Sequence, residues 1–410
     1  MSKITMGIYI HIPFCVKKCN YCDFLSFAAD DTVKSSYVKA LINEIKAYGR
    51  LYGKTGSTPV LIASVFFGGG TPSVLESKYI HRIMSALYDC FDFSKECEIT
   101  VECNPGTISI SKLLDYHCIG INRLSIGLQS ADNNELKALG RIHSYEVFIE
   151  SFKNARKAGF NNINTDIMSA LPGQTVSSYK KTLNRVLSFE PEHISAYSLI
   201  IEEGTEFFNI YDNYRPDCGL APLPDEDTER EMYYMTCELF EAKGLNRYEI
   251  SNYSRNGFEC KHNLGYWNRL NYLGFGIGAA SFINNTRLKN ISDIKKYIDV
   301  CSDLSYEKNN LTGDMSASTY YIERLTDKNE LITLSTDDEM AEYMYLGLRK
   351  IKGVSIKGFS DKFGRELYEV YGNVINRHIK YGLMTIEDDF AALTKKGLDI
   401  SNYILSDFIL

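Results

Sequence analysis

The stretch YIHIPFCVKKCNYCDF, residues 9–24, carries three cysteines in the spacing C-x3-C-x2-C. The two short gaps let one loop wrap around a compact inorganic group, with the thiolates of Cys15, Cys19 and Cys22 pointing inward. A structural zinc site takes four protein ligands and usually draws the remaining ones from a second pair of Cys or His residues. The sequence has no second pair at such spacing, and His11 is the only nearby candidate.

Three thiolates suit a [4Fe-4S] cluster in which one iron has no protein ligand, whereas a ferredoxin cluster takes four cysteines. The open iron is then a position at which a small molecule binds. A zinc knuckle and three unrelated buried thiols are the alternatives, and the aromatic Tyr21 directly before the last cysteine disfavours both. The sequence therefore predicts a [4Fe-4S] cluster held by Cys15, Cys19 and Cys22.

The composition predicts a globular protein of the cytosol. Hydrophobic residues make up 44% and charged residues 24% of the 410 residues. A formal net charge of -7 gives no reason to expect nucleic acid as a partner, because such binding usually leaves a basic patch. The N-terminus lacks the long apolar region of a signal peptide, and no stretch is apolar enough for long enough to span a bilayer. In a reducing compartment the eleven cysteines are better explained as thiols or metal ligands than as disulfides.

Six β-rich segments alternate with amphipathic helical segments over the first 200 residues. The predicted strands are GIYIHIPF, ASVFFGGG, CEITVECNP, NRLSIGLQ, NINTDIM and HISAYSLI. This alternation predicts an α/β fold with parallel strands joined by right-handed crossovers. A partial (β/α)6 barrel of the TIM type and an open doubly wound sheet both fit, and in either one ligands bind at the carboxyl ends of the strands.

Three parts of the chain are predicted. Residues 1–290 form the partial barrel with the cluster, and residues 291–334 form a polar linker or insertion with some helix. Residues 335–410 read as helix, short helix, helix and β-turn-β, which predicts a small, mostly helical, winged-helix-like domain. Because this domain is not basic, we expect it to pack or to act as a lid rather than to bind DNA.

Polar residues follow the ends of successive predicted strands. FFGGGTP places Gly69, Gly70 and Thr71 after the second strand, where missing Cβ atoms let the backbone approach a ligand. The carboxylates of Glu102 and Asp166, the amide of Gln129 and the guanidinium of Arg141 follow later strands, and the last of these is suited to fork onto a carboxylate. Each residue alone is more often structural, but together they predict a ring of ligand contacts at the barrel mouth.

With these motifs in order, the sequence resembles a radical S-adenosylmethionine (SAM) enzyme. In that superfamily SAM chelates the open iron, and the reduced cluster cleaves SAM to a 5'-deoxyadenosyl radical. The first 280 residues resemble the oxygen-independent coproporphyrinogen III dehydrogenase family, and the tail resembles that family's C-terminal domain. The resemblance implies SAM contacts at Tyr9, Tyr21, Gly69, Gly70, Thr71, Glu102, Gln129, Arg141 and Asp166, with Ile200 and Ala280 on the adenine side.

One departure and one further motif select a branch of that family. The decarboxylating dehydrogenases have a further cysteine two positions past the third, where this chain has Phe24. That ending resembles the HemW branch of heme chaperones, and KHNLGYWNR matches the branch's H-N-x-x-Y-W heme motif. The resemblance implies heme binding by His262, Tyr266 and Trp267, with the imidazole as axial ligand and the aromatic rings against the porphyrin. A structural histidine beside a packed aromatic pair is the alternative.

Three hypotheses on function follow. The first is a cytosolic heme chaperone that binds heme, SAM and a [4Fe-4S] cluster and delivers heme to apo-hemoproteins. The second is a radical SAM oxidative decarboxylase of a porphyrinogen, and the third is an interaction protein with a structural cluster. The sequence assigns no catalytic residue and leaves open productive SAM cleavage, a homodimer and peripheral contact with a membrane.

Overall fold

The computed structural model of the chain describes residues 4–212, 219–306 and 322–409. The strands are β1 (Ile4–Ile12), β2 (Val60–Gly69), β3 (Asp92–Cys103), β4 (Arg123–Gln129), β5 (Ile163–Ser169), β6 (His193–Ser198), β7 (Asn246–Arg247), β8 (Asn252–Ser254), β9 (Tyr272–Phe275), β10 (Ala280–Ile283), β11 (Thr286–Lys289), β12 (Ile332–Thr333), β13 (Val354–Ser355), β14 (Met384–Glu387) and β15 (Phe390–Leu393). The helices are α1 (Asp31–Tyr52), α2 (Ser77–Cys90), α3 (Ile110–Cys118), α4 (Asn133–Ala138), α5 (Tyr145–Lys157), α6 (Val176–Leu187), α7 (Glu206–Tyr211), α8 (Glu226–Glu241), α9 (Lys261–Trp267), α10 (Ile294–Tyr306), α11 (Thr336–Gly347), α12 (Ile356–Phe363), α13 (Leu367–Lys380), α14 (Lys395–Asp399) and α15 (Ser401–Ser406).

The large sheet has the order β12-β11-β10-β9-β1-β2-β3-β4-β5-β6-β8-β7. Strands β1 to β6 are parallel neighbours in chain order, and β9 joins β1 as a further parallel strand. A doubly wound sheet reverses its strand order near the middle, whereas a barrel winds in one direction. The uninterrupted order confirms the predicted partial (β/α)6 barrel. The antiparallel strands at both edges, β10 to β12 and β7 to β8, were not predicted.

Several helices that follow a strand begin at a residue whose side chain caps the helix N-terminus. The Asp30 carboxylate accepts from Val33 N at 2.9 Å at the start of α1, and Asp132 caps α4 in the same way. At α6, Thr175 and Ser178 form a reciprocal capping box. These caps fix the residue at which each strand-to-helix loop ends. They therefore set the length of the loops that can contribute residues to the site.

The two faces of the parallel strands differ in chemistry. Apolar side chains such as Ile8, Phe67 and Leu124 face the helices and form the larger hydrophobic core. The opposite face lines the barrel interior with side chains that are mostly polar or aromatic: Tyr9, His11, Ser64, Phe66, Glu98, Thr100, Glu102, Arg123, Ser125, Asn164, Asp166 and His193. Period-two alternation along each strand produces this separation. The barrel interior is therefore largely polar, and the apolar core lies between the strands and the surrounding helices.

A second core lies in the C-terminal part, between Met340 and Phe408. Helix α11 is followed by β13, α12, α13 and the hairpin β14-β15, and β13 pairs with β15. This element order is that of a winged helix, as predicted, with α14 and α15 added after the hairpin. Helix α10, which lies in the predicted linker 291–334, instead packs into the larger core through Tyr297 and Cys301. Residues 307–321 of that predicted linker lie outside the described residues.

Among the helices of the described residues, none combines the length and the apolar character needed to cross a membrane.

Candidate functional site

A cavity opens at the carboxyl ends of the parallel strands, with an empty volume of about 730 Å³ that includes solvent at its mouth. We call it the cysteine cavity. Eleven of the residues predicted from sequence lie in its wall: Cys15, Cys19, Tyr21, Cys22, Gly69, Gly70, Thr71, Glu102, Gln129, Arg141 and Asp166. The structure therefore brings together side chains that are up to 151 positions apart, from Cys15 to Asp166, as expected for the ligand-binding end of a barrel.

The three predicted cluster ligands sit on one closed loop. Phe27 N donates to Pro13 O at 2.9 Å, and Cys15 N donates to Phe27 O at 3.0 Å, so the loop returns to its own start. All three thiols are half-buried and face the cavity. Within the described part of the chain, no three cysteine, histidine or acidic side chains converge on a single metal ion.

The glycine segment after β2 holds this loop in place. Gly70 N donates to Ile12 O at 2.9 Å and Thr71 N donates to Phe14 O at 2.8 Å. A Cβ atom at Gly70 would lie 2.9 Å from Phe14 O and 3.0 Å from Ile12 O. Gly69 and Gly70 both line the cavity. A glycine is required at position 70, however, because the backbone there packs closely against the loop that carries the three cysteines, which we call the cysteine loop. The segment therefore has a structural role besides the predicted ligand contact.

Arg141 connects the cysteine loop to two strand ends. Its Nη2 donates to Gly127 O at 2.7 Å and to Asn104 Oδ1 at 2.8 Å, and its Nη1 approaches Cys19 Sγ at 3.6 Å. Asn104 in turn donates to the Thr71 hydroxyl at 2.9 Å, which lies 3.4 Å from Cys15 Sγ. The Arg141 Nε atom is buried without a hydrogen-bond partner. A buried unpaired donor beside the thiols fits an anionic group bound in this cavity.

A bulge turns Gln129 into the cavity. The register between β4 and β5 shifts between Gly127 and Gln129, and Gln129 has a φ of 72°, in the left-handed region. A bulge at a strand end redirects the next side chain. The Gln129 amide accepts from the Tyr197 hydroxyl at 3.1 Å, which fixes its orientation across the cavity.

Two half-buried carboxyl groups, Glu102 and Asp166, line the cavity. Burial, reinforced by the Asp166 carboxylate, raises the pKa of Glu102 to about 8. Burial also raises the pKa of Asp166, although the Asp166 carboxylate accepts from Ser125 Oγ and Asn164 Nδ2. Carboxylates that are costly to ionise favour a ligand that brings positive charge or hydroxyl donors. SAM has both, in its amino and sulfonium groups and its ribose, so these residues fit it.

Three residues of the predicted SAM set lie outside the cavity wall. Tyr9 lies one layer deeper, where burial and the adjacent Glu102 raise its pKa. Ile200 follows β6 and is 67% exposed, and Ala280 begins the antiparallel strand β10. The adenine contacts implied for Ile200 and Ala280 remain predictions. Phe24 lies in the cavity wall and is 63% exposed.

The H-N-x-x-Y-W segment lies at the other end of the barrel. It forms α9, directly before β9, and β9 runs parallel to β1 with Tyr272 opposite Gly7. Backbone N–H groups of Lys261 and His262 donate to the Glu98 carboxylate at 3.2 Å each. The motif is thus attached to the amino-terminal part of the barrel strands, away from the cysteine cavity.

His262 is buried, with 4% of its surface exposed, and both ring nitrogens have partners. Nδ1 lies 2.9 Å from Ser64 Oγ and Nε2 lies 3.0 Å from the Tyr266 hydroxyl. Burial lowers the pKa of His262 to about 3, so the imidazole is neutral, as a metal ligand must be. Coordination of heme iron through Nε2 requires the Tyr266 hydroxyl to move aside.

Aromatic rings join the two ends through the barrel interior. The ring centroids of His262 and Phe66 are 5.2 Å apart, and those of Phe66 and Tyr9 are 6.5 Å apart. The Tyr9 hydroxyl lies 3.1 Å from His11 Nδ1, and His11 Nε2 donates to Leu25 O of the cysteine loop at 2.9 Å. This ring column, His262-Phe66-Tyr9-His11, was not predicted.

Sequence reasoning missed several residues of the cysteine cavity. Asn104, Gly127 and Tyr197 make contacts with predicted site residues, and Ser125 holds Asp166. A usable signal existed for two of them, because Asn104 lies in VECNP and Tyr197 in SAYSLI, at ends of predicted strands. Nothing local marks Gly127, which contributes only a carbonyl oxygen.

Comparisons with known proteins agree with this geometry. The family model described as the radical SAM superfamily matches residues 9–186, and the HemN C-terminal domain model matches residues 334–400. The chain is similar to the structure of coproporphyrinogen III oxidase (HemN) from Escherichia coli with a TM-score of 0.78, covering 99% of this chain and 90% of that one. At 20% sequence identity this likeness shows the fold alone.

Curated relatives match over the whole length. Heme chaperone HemW of Bacillus subtilis (strain 168) is 35% identical over 402 residues, which are 98% of each chain. Heme chaperone HemW of Lactococcus lactis subsp. lactis (strain IL1403) is 32% identical over 404 residues, covering 98% of this chain and 97% of that one. With a radical SAM barrel, a HemN-type C-terminal domain and full-length relatives of this kind, the chain belongs to the HemW family.

Proposed function

We propose that this protein is a cytosolic heme chaperone, which binds heme and transfers it to apo-hemoproteins. The observation that carries the proposal is the 35% identity over 98% of both chains with a protein named heme chaperone HemW. The H-N-x-x-Y-W segment supports it, because a neutral buried imidazole and two aromatic side chains lie together at one end of the barrel. Imidazole is a common axial ligand of heme iron.

In this proposal the cysteine cavity holds the cofactors of the family. Cys15, Cys19 and Cys22 bind a [4Fe-4S] cluster, which supplies an iron site for SAM and a single electron when reduced. Arg141 offers its guanidinium to the SAM carboxylate, and Glu102 and Asp166 accept from the amino group and the ribose. Gly69, Gly70 and Thr71 line the cavity for contact with SAM, and the backbone N–H groups of Gly70 and Thr71 also position the cysteine loop. Gln129 and Tyr21 complete the wall of the cavity.

Heme transfer is tested by measuring how the transfer rate depends on the concentration of the acceptor protein. The heme-loaded full-length protein is mixed with increasing concentrations of an apo b-type cytochrome domain, and the Soret band of the acceptor is followed. A chaperone hands heme over in a complex, so the rate should rise with acceptor concentration and then saturate. A rate that is independent of acceptor concentration means passive release and contradicts the proposal. Emission from Trp267, the only tryptophan, reports heme loading by quenching.

The role of His262 is tested by two substitutions. His262→Ala should lower heme affinity and change the Soret spectrum, because the axial imidazole is lost. Tyr266→Phe removes only the hydroxyl that occupies Nε2, so it should keep the spectrum of the His-ligated form and bind heme at least as tightly. An unchanged spectrum in the His262→Ala protein would contradict the ligand assignment.

A second candidate is radical SAM decarboxylation of a porphyrinogen, which the polar ring of the cysteine cavity favours. Phe24, at the position of the further cysteine in the decarboxylating enzymes, disfavours it. Anaerobic incubation of the cluster-loaded protein with SAM, a reductant and coproporphyrinogen III separates the two. We expect no protoporphyrinogen, and its formation would rank the enzyme above the chaperone.

A further inference from the structure

Another cavity lies where the barrel meets the C-terminal domain. Its empty volume is about 580 Å³, which includes solvent at its mouth, and it is lined by Tyr266, Trp267, Arg269, Tyr272, Phe282, Arg287 and Leu346. We call it the seam cavity. Leu346 belongs to α11 of the C-terminal domain, and the other lining residues belong to the barrel part. Its walls combine aromatic rings with cations.

The seam cavity lies beside the proposed heme ligand. Tyr266 lines it and also lines a smaller cavity that contains His262 and Ser64. Tyr272 lines both cavities as well, and the Tyr266 ring is the one of the two whose hydroxyl contacts His262 Nε2, so it lies between the imidazole and the seam cavity. If this ring turns away, the imidazole faces a space walled by Trp267 and Tyr272.

Arg269 is placed in the seam cavity at a cost to the backbone. It has a φ of 52°, in the left-handed region that a bulky side chain rarely adopts. Its side chain is only 2% exposed, its Nε donates to Glu342 at 2.8 Å, and its Nη2 is buried without a partner. A strained, buried arginine in a cavity wall, with an Nη2 donor that has no partner, is suited to bind an anionic group.

Arg287 is a second arginine placed against the same ring, that of Phe282. The guanidinium groups of Arg269 and Arg287 lie 5.2 Å and 5.0 Å from the ring centroid of Phe282. Both donate to the same buried carboxylate, Glu342, from α11. Arg269 also lies 3.5 Å from Glu339. Glu342 thus holds two guanidinium groups at one wall of the cavity.

Other charged groups at the seam leave an excess of cations. Arg349 lies 4.5 Å above the Trp267 ring, and its Nε is buried without a partner. Burial lowers the pKa of Lys362, and the positive charge of the nearby Arg269 lowers the pKa of Lys362 further. Glu339 and Glu342 face Arg269 and Arg287, and Glu249 faces Arg349. The named cations exceed the named carboxylates by one, so an anionic ligand is favoured here.

We propose that the seam cavity is the heme seat, in which Trp267 and Tyr266 pack against the macrocycle while Arg269 and Arg287 bind the two propionates. This inference rests on the proposed heme chaperone function and adds to it the residues that recognise the carboxylates. It makes the C-terminal domain part of the heme site through Leu346 and Glu342. The propionates compete with Glu342 for the two guanidinium groups, so binding loosens the contact between the barrel and α11.

The test compares ferric protoporphyrin IX with its dimethyl ester, which has the same ring and iron but no carboxylates. Binding to the full-length protein is followed by Soret titration for wild type, Arg287→Gln and Arg185→Gln. Arg185 is the matched control, since it also lies over an aromatic ring, 5.1 Å from the Tyr145 centroid, but far from the seam. Loss of one charge-assisted contact should weaken binding of the diacid about tenfold in Arg287→Gln.

The diester separates loss of charge from structural damage. Arg287→Gln should bind the diester as wild type does, and Arg185→Gln should keep the wild-type preference for the diacid. Equal wild-type affinities for the two ligands, or an unchanged diacid affinity in Arg287→Gln, would overturn the propionate assignment and leave the chaperone proposal intact. Failure of the wild type to bind either porphyrin would contradict the chaperone proposal itself.

A second variant tests the competition with Glu342. Glu342→Gln removes the carboxylate that the buried Arg269 and the half-buried Arg287 share, and heme propionates can replace it. Ferric protoporphyrin IX should therefore raise the Tm of Glu342→Gln by more than it raises that of wild type. A smaller rise in the variant would mean that Glu342 does not compete with the ligand, and would overturn the inference.

Discussion

Arg141 is the residue that most directly couples the thiols to the rest of the cysteine cavity. Lysine keeps the positive charge but cannot reach Gly127 O, Asn104 Oδ1 and the region of Cys19 Sγ with one nitrogen. Loss of one charge-assisted hydrogen bond costs about 1.5–3 kcal/mol, so Arg141→Lys should weaken SAM binding by about tenfold to a hundredfold. Anaerobic equilibrium dialysis with labelled SAM measures the change.

Arg156→Lys is the matched control for this prediction. Arg156 binds the Glu192 carboxylate through both Nη atoms at 2.9 Å, outside the cavity, so the substitution should leave SAM affinity unchanged. Iron content per chain should stay the same in both variants, because neither removes a thiol. SAM affinity equal to wild type in Arg141→Lys would contradict the assignment.

At this scale the sequence predicted which residues line the cysteine cavity, because strand ends of a parallel sheet meet at one edge. It could not predict the partners of His262. Ser64 lies 198 positions before His262 in the chain, and the two meet only because β9 pairs with β1. A motif match indicates the imidazole, but only tertiary contacts show that both of its nitrogens are occupied.

At the scale of elements, one buried carboxyl group joins α1 to the edge of the barrel. Glu44 of α1 accepts from Gly276 N at 2.8 Å, from Asn290 Nδ2 at 2.6 Å and from the Tyr297 hydroxyl of α10. Burial raises the pKa of Glu44 to about 7, since these three donors offset only part of the desolvation cost. The folded protein therefore binds this proton more tightly than the unfolded chain does.

This raised pKa predicts how stability changes with pH. The contribution of Glu44 to stability is fully present below pH 4.5, the usual carboxyl value, and is lost as the pH rises through about 7. The loss amounts to about 3 kcal/mol over that window. Glu44→Gln cannot titrate, so the stability advantage of wild type over this variant should shrink by that amount between pH 4.5 and pH 8. Urea unfolding of both cluster-free proteins measures it, and a constant difference would contradict the prediction.

Strands and helices could be predicted where apolar residues recur at a regular spacing along the sequence. The six alternating segments were recognised because each strand has an apolar face toward the helices. Strands such as β7 and β12 have two residues each, which is too short for any periodic signal. Helix α10 was assigned to a linker because its sequence is polar, although Tyr297 and Cys301 bury it against α1.

At the scale of the whole molecule, the two proposed ligand sites lie at opposite ends of the barrel strands. The cysteine loop follows Ile12 at the carboxyl end of β1, whereas His262 packs beside Gly7 near its amino end. Five residues of strand separate these positions by about 16 Å. Between them the rings of Phe66 and Tyr9 pack in the interior, so side chains of the barrel separate the two sites.

Simultaneous occupancy follows from this separation. We expect a complex with both SAM and heme bound, in which saturating SAM changes the heme Kd by less than about fivefold, the lower limit of typical allosteric coupling. The same factor must apply to the effect of heme on SAM, which provides an internal check. Arg141→Lys should leave heme affinity intact, and Arg287→Gln should leave SAM affinity intact. Parallel titrations of the cluster-loaded wild type and variants measure these affinities, and direct competition between SAM and heme would show that both bind at one end of the barrel.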